Sequence, residues 1–338
     1  MNFKFLRSNL NKLLIIVGVV ALIFVLAFFI WWNREIIIIN PDFQQKEQGL
    51  KSSISGIECA NAGRRPLAVM LSGDPETRPL SGIGQADIVF EMPVTPNGIS
   101  RFMAIFQCED PKEIGSIRSA REDFIPLAAS FGSVFAHWGG EKEALEKLDN
   151  KIIDNVDALK FEGTVFYRKN SAPRPHNGFT SIELLLEKAE ALGYDLEDTF
   201  RGYTHGKSEI KRNLSNLVPT IEISYPGQYE VLWQYNEQTN SYSRFRGDSQ
   251  ELDANSGKQV RVDAVVIMKT YSNILNKDYI RVNVVGEGEA IFYQNGLMTA
   301  GRWEKDSSTI SSKLYFYDEK GHEIKLAPGK IWVQIMTE

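Results

Sequence analysis

Residues 115–140 read GSIRSAREDFIPLAASFGSVFAHWGG, and they decide the fold class. Ser119-Ala-Arg-Glu122 has the capping-box pattern, in which a hydroxyl and a Glu three residues later each take the other's backbone N–H. The spacing predicts a helix from Ser119 toward Phe131, bent at Pro126. Ser133 to His137 is a short apolar run closed by Gly139 and Gly140, which reads as a strand. A helix leading into a buried strand is the repeating unit of a layered α/β domain.

Working outward, Leu67 to Leu71 (LAVML), Asp87 to Glu91 (DIVFE) and Arg101 to Phe106 (RFMAIF) read as three earlier strands, split by Pro- and Gly-rich turns. Glu141 to Leu148 reads as a short charged helix. Thr180-Ser-Ile-Glu183 is a second capping box. It opens an amphipathic helix through Leu184, Leu185, Ala189 and Leu192 that stops at Gly193. Residues 64–217 are therefore predicted to form an α/β layered domain. After Val218 the period becomes two. Alternating runs from Thr220 to Met336 are punctuated by Pro226-Gly227, Asn295-Gly296, Lys320-Gly321 and Pro328-Gly329, which predicts a β-rich domain over residues 218–338.

At the other end, Leu13 to Trp32 (LLIIVGVVALIFVLAFFIWW) carries no charge. About 20 apolar residues at 1.5 Å rise match a ~30 Å hydrocarbon core. Lys4, Arg7 and Lys12 precede the run, and Arg34 and Glu35 nearly cancel after it. The positive-inside bias then keeps residues 1–12 cytoplasmic and sends the rest of the chain across the membrane. The competing reading is a cleaved signal peptide, whose apolar core is shorter and ends in small residues rather than Trp31 and Trp32. Residues 33–63, polar and without periodicity, read as a tether. The fold class is thus α+β: a membrane helix, an α/β layered domain and a β-rich C-terminal domain.

Composition narrows the function. A net charge of −5 speaks against a nonspecific nucleic-acid binder, which needs a basic face, but leaves room for a local basic pocket. Cys59 and Cys108 are the two cysteines. In an oxidising compartment they are candidates for a disulfide; two buried thiols are the other reading. No Cys/His metal spacing, P-loop, H-E-x-x-H or G-x-S-x-G pattern occurs, so no metal and no cofactor are predicted.

Four segments place polar groups where ligands bind. Arg118 and Arg121 flank the predicted helix start, where free N–H groups and a positive dipole already favour anions; their alternative is pairing with Glu91 or Asp123. His137 ends a strand ahead of two glycines. Arg174-Pro175-His176-Asn177, with Arg168 six residues earlier, leads into the second capped helix. Gly98-Ile99-Ser100-Arg101 faces Glu91 across a Pro/Gly loop.

Those segments carry a resemblance. Arg65-Pro-Leu-Ala-Val-Met70, Arg78-Pro-Leu-Ser-Gly82, Gln85-Ala-Asp-Ile-Val89, Gly98-Ile-Ser-Arg-Phe102, Gly115-Ser-Ile-Arg-Ser-Ala-Arg121, His137-Trp-Gly-Gly140 and Pro175-His-Asn177 resemble, in order, the YerB-like lipoprotein family, a bacterial domain of unknown function. Gly301-Arg-Trp303 through Pro328-Gly-Lys-Ile-Trp332 is similar to that family's second domain. The resemblance implies a two-part fold held outside the cytoplasm. It departs at the anchor, since lipoprotein members are held by a lipidated Cys and here an apolar helix stands in.

Three functions follow as expectations. The first is a binding module that holds an anionic cell-envelope ligand through Arg101, Arg118, Arg121, Arg174, His137, His176 and Asn177. The second is an envelope hydrolase or transferase with His137 or His176 as base and Glu91 as carboxylate partner. The third is a scaffold for a membrane partner.

Overall fold

Every residue of Leu67–Ser72 (β1) is buried, so this strand must be covered on both faces and flanked on both edges. The computed structural model, which describes residues 17, 20–25, 28, 49–170, 172–206, 217–225 and 229–337, places it accordingly. The strands that follow are Ile88–Pro93 (β2), Ser100–Phe106 (β3), Val134–His137 (β4) and Asn155–Asp157 (β5). β1 runs antiparallel to β3 and parallel to β4. Thr220–Ile223 (β6), Val231–Asn236 (β7) and Ser241–Arg246 (β8) then form the body of a separate antiparallel sheet.

The last strands are Ala264–Thr270 (β9), Gly286–Gln294 (β10), Leu297–Lys305 (β11), Leu314–Asp318 (β12) and Ile331–Thr337 (β13). They do not build a sheet of their own. The ten-stranded order is β12-β11-β10-β9-β13-β2-β3-β1-β4-β5. β13 makes the join, pairing in parallel with β9 on one side and with β2 on the other. Residues 49–338 thus form one compact unit, with the two halves of the sequence meeting inside one sheet.

Alternation explains the layers. Ala68 and Met70 of β1 face one apolar cluster with Phe124, Leu127, Phe131 and Phe135. Leu67, Val69 and Leu71 face a second, with Trp233, Tyr242, Ile182 and Leu185. The first face is covered by helix α1 (Phe124–Ser130). Further along lie α2 (Lys142–Asp149) and α3 (Ala158–Phe161), and α4 (Ile182–Ala191) packs on the second face with β7 and β8. A period of two buried on both sides gives the near-continuous apolar reading of LAVML.

Two helix starts differ from expectation. The capping box at Ser119 does not form, and the helix begins only at Phe124. Arg118 N–H donates to Met70 O, Trp138 N–H to Arg118 O and Ala120 N–H to Gly139 O. Those bonds hold residues 118–120 extended between the ends of β1 and β4, which competes with coiling. The second cap is Ser181 rather than Thr180; its hydroxyl accepts the Leu184 N–H at 3.2 Å.

Residues 49–63, expected as tether, pack onto the unit instead. Ile54 and Ser55 are fully buried. The Ser52 and Ser55 hydroxyls donate to Gln107 at 2.6 Å and to Asp87 at 2.8 Å. Gly56 takes φ +66°, and a Cβ there would run into the His205 ring. Cys59 and Cys108 form a disulfide with Cα atoms 5.7 Å apart. It lies where the antiparallel pairing of Leu67 with Phe106 brings the ends of β1 and β3 together.

Most of the expected anchor (residues 13–32), with residues 1–12 and 33–48, lies outside the described residues. Its described part, Val17, residues 20–25 and Phe28, is helical and exposed. No helix among the described residues is long and apolar enough to cross a membrane.

Candidate functional site

At the carboxyl ends of the parallel strands β1 and β4, the chain gathers three of the arginines and one of the histidines singled out above. Ser72 ends β1 and lies opposite Arg101 on β3. Gly73 follows, and a Cβ there would run into the Ser100 carbonyl. Asp74 comes next. Its carboxylate accepts from the Ser72 hydroxyl at 2.7 Å, pairs with Arg118 at 2.8 Å and lies 3.9 Å from His176 Nδ1. Although burial acts to raise it, the Ser72 hydrogen bond and the Arg118, Arg101 and His176 charges hold Asp74 below the usual carboxylate range.

Arg101 sits at the centre and is 5% exposed. Among the described residues its guanidinium makes one hydrogen bond, from Nη1 to Ser119 O at 3.0 Å, and no ion pair. Burial, then Arg121 and Arg118, pull its pKa well below that of a free guanidinium. Arg121 lies close by. Its Nη1 donates to Ala120 O, its Nε stands 3.9 Å from Glu141, and its guanidinium covers the Tyr279 ring at 4.7 Å. Tyr279 is brought in by the hairpin between β9 and β10. Arg281 of that hairpin pairs with Glu122 at 2.7 Å and with Asp123 at 3.0 Å. Burial pushes Asp123 up to about 7 despite the Val282 N–H and Arg281.

Other expected members lie elsewhere. His137 is fully buried. Its ring stacks on Phe135, meets Gly139 O at 2.8 Å and lies 3.8 Å from Asp157. Its second ring nitrogen meets Asn155 Oδ1 at 3.4 Å, so both nitrogens are taken by the protein and the ring fixes the turn after β4. Asn177 accepts from Arg168 at 2.8 Å, and Arg168 also pairs with Glu162 and stacks on Trp138 at 4.1 Å. A Cβ on Gly178 would strike that Trp138 ring. Arg174 is exposed and its nearest acid is Glu162 at 4.0 Å. Asn177 and Arg174 thus belong to a separate paired group.

Glu91 is also not a site carboxylate. It is fully buried and takes Arg244 at 2.6 Å, Arg246 at 2.5 Å, Ser100 at 2.9 Å and Gln334 at 3.0 Å. Burial alone would raise Glu91, but the two guanidiniums overcome it and hold its pKa at about 2. Glu251 closes the network by accepting from both arginines. The network ties β8 to β2 and β13.

Asp74, Tyr279 and the Arg244–Arg246 pair do not stand out in the sequence. The last left a signal: Tyr242, Arg244 and Arg246 share one face of an alternating strand. An apolar face that carries two arginines requires a buried acid.

Residues 54–195 match the family described as Protein of unknown function (DUF3048) N-terminal domain, and residues 221–333 match its C-terminal domain. The Bacillus subtilis (strain 168) protein named "Putative lipoprotein YerB" is 29% identical over 305 residues, 88% of each chain. The crystal structure of YerB protein from Bacillus subtilis superposes with a TM-score of 0.77 at 27% identity, covering 86% of this chain and 97% of that one.

Proposed function

This chain belongs to the DUF3048 family, and on that premise we propose that it is a membrane-anchored extracytoplasmic protein that binds an anionic cell-envelope ligand at the Arg101 cluster. Two things support the location: the uncharged run Leu13 to Trp32 with its basic flank, and a relative whose printed name is that of a lipoprotein. The Cys59–Cys108 disulfide suits an oxidising compartment.

One observation carries the ligand class. Arg101 is buried without an ion pair among the described residues, within electrostatic reach of the Arg121 and Arg118 guanidiniums. An uncompensated buried charge costs several kcal/mol. Asp74 is paired with Arg118 and acts on Arg101 only through space, and Glu141 stands 3.9 Å from Arg121, so Arg101 has no carboxylate paired with it directly among the described residues. A bound anion supplies the missing charge and accepts from all three fans of N–H donors.

The test is a thermal-shift screen of the full-length chain in neutral detergent against anionic envelope fragments. A fragment that fits raises the unfolding midpoint of the wild type and leaves Arg121→Ala and Arg118→Ala unmoved, with their fold intact. Equal shifts in the variants count against the site.

A second reading has one observation in its favour. His176 lies beside Asp74 among the arginines, an arrangement able to activate a hydroxyl or water against a bound anion. Hydrolysis of a fragment that is lost in His176→Ala, with binding retained, would select it.

A further inference from the structure

We infer that the anion taken at this site is the phosphoryl group of a phosphate monoester rather than a carboxylate; the inference rests on the anion-site reading above. Five buried donor atoms point to it. Arg101 Nε, Arg118 Nε, Arg121 Nε, His176 Nδ1 and Ser116 Oγ are all buried without a hydrogen-bond partner among the described residues. They come from separate stretches of chain that the topology brings to one strand end. Arg101 lies on β3 opposite Ser72. The Ser116 carbonyl takes the Ser72 N–H at 3.0 Å. Arg118 and His176 share Asp74.

A carboxylate offers two oxygens in one plane, about four lone-pair directions and a single charge, which Glu91 already fills with two arginines, a hydroxyl and an amide. Three guanidiniums, an imidazole and a hydroxyl exceed that capacity. A monoester phosphoryl group offers three terminal oxygens in a tetrahedral array and between one and a half and two negative charges near neutrality. It accepts from several sides at once and neutralises more than one cation. A diester, with two terminal oxygens and one charge, matches less well.

Tyr279 adds a constraint. Its ring lies under the Arg121 guanidinium at 4.7 Å and leaves that group's edge, not its face, for hydrogen bonding. The hairpin that carries Tyr279 is anchored on the same side by Val282 N–H to Asp123 at 2.8 Å. The site is thereby built from both halves of the sequence.

The experiment uses the full-length chain in neutral detergent and calorimetric titration with inorganic phosphate, glycerol 3-phosphate and glycerate, the last as a carboxylate on a matched skeleton. Phosphatidylcholine vesicles with and without phosphatidic acid form a further arm. Binding of phosphate and glycerol 3-phosphate, with glycerate weaker by on the order of tenfold or more, supports the inference. Arg101→Lys keeps the charge but removes the fork, and should weaken phosphate binding by a similar factor; Arg118→Gln serves if that variant fails to fold. Binding only to phosphatidic acid vesicles, again lost in the variants, supports the same chemistry with a lipid as its source. Glycerate binding as tightly as glycerol 3-phosphate, and lost in the variants, overturns the phosphoryl assignment and leaves the anion site standing. Absence of all binding overturns both.

Discussion

Glu91 shows at the residue scale how a buried charge is tolerated. Its two oxygens meet Arg244 and Arg246 and its neighbours satisfy what remains, so removing its charge leaves two buried guanidiniums to share Glu251 alone. Glu91→Gln should destabilise the fold by about 3–5 kcal/mol, read from denaturant unfolding. The sign with pH follows from the same contacts. The folded-state pKa is about 2, against an ordinary 4.5. The stabilisation is fully present above pH 4.5 and is lost as pH falls toward about 2. Unfolding midpoints measured down that range should drop in the wild type and change less in Glu91→Gln. Arg118 and Arg121 stand out in the sequence for a helix start that does not form, and Arg101 for a loop facing Glu91; what brings the three together is not local. Asp74 and Tyr279 were not legible, because what joins them to those arginines is sheet register and a distant hairpin. His137 was misjudged for a related reason: a strand-end position does not say which face the ring turns to, and here Phe135 and Gly139 take it inward.

At the scale of elements, nearly every strand was readable from its period, since burial on one or both faces leaves a pattern of two or an unbroken apolar run. The first helix was misread because local capping chemistry lost to the long-range hydrogen bonds of residues 118–120 with Met70, Trp138 and Gly139. The disulfide closes a separation of 49 residues, and the loop-entropy estimate for that length is about 4 kcal/mol. Unfolding in the presence of a reductant, or of Cys59→Ser, should fall by an amount of that order; an unchanged midpoint would contradict it. β13 carries more. It is buried over most of its length and is the only described strand that pairs with both β2 and β9. A chain ending at Lys330 should lose both neighbours' hydrogen-exchange protection together. Protection retained in β2 would mean that the N-terminal half folds without it.

The whole molecule presents two claims of different kinds. The proposed membrane topology rests on residues 13–32 and their flank: a reporter fused after Glu338 should be active only outside the cytoplasm, and cytoplasmic activity would refute the proposed orientation. The single ten-stranded sheet was not legible, because the change of period at Val218 marks a change of local pattern while β13 returns to pair with β2. That return also places the Tyr279 hairpin against arginines from the other half of the sequence. The central claim is that these arginines surround an oxyanion. It is tested most directly by anomalous scattering from a crystal of the protein soaked in arsenate, a tetrahedral analogue of phosphate. The account predicts an arsenic peak within hydrogen-bond distance of the Arg101 guanidinium and flanked by Arg118 and Arg121. An empty cluster beside arsenate bound elsewhere would contradict it.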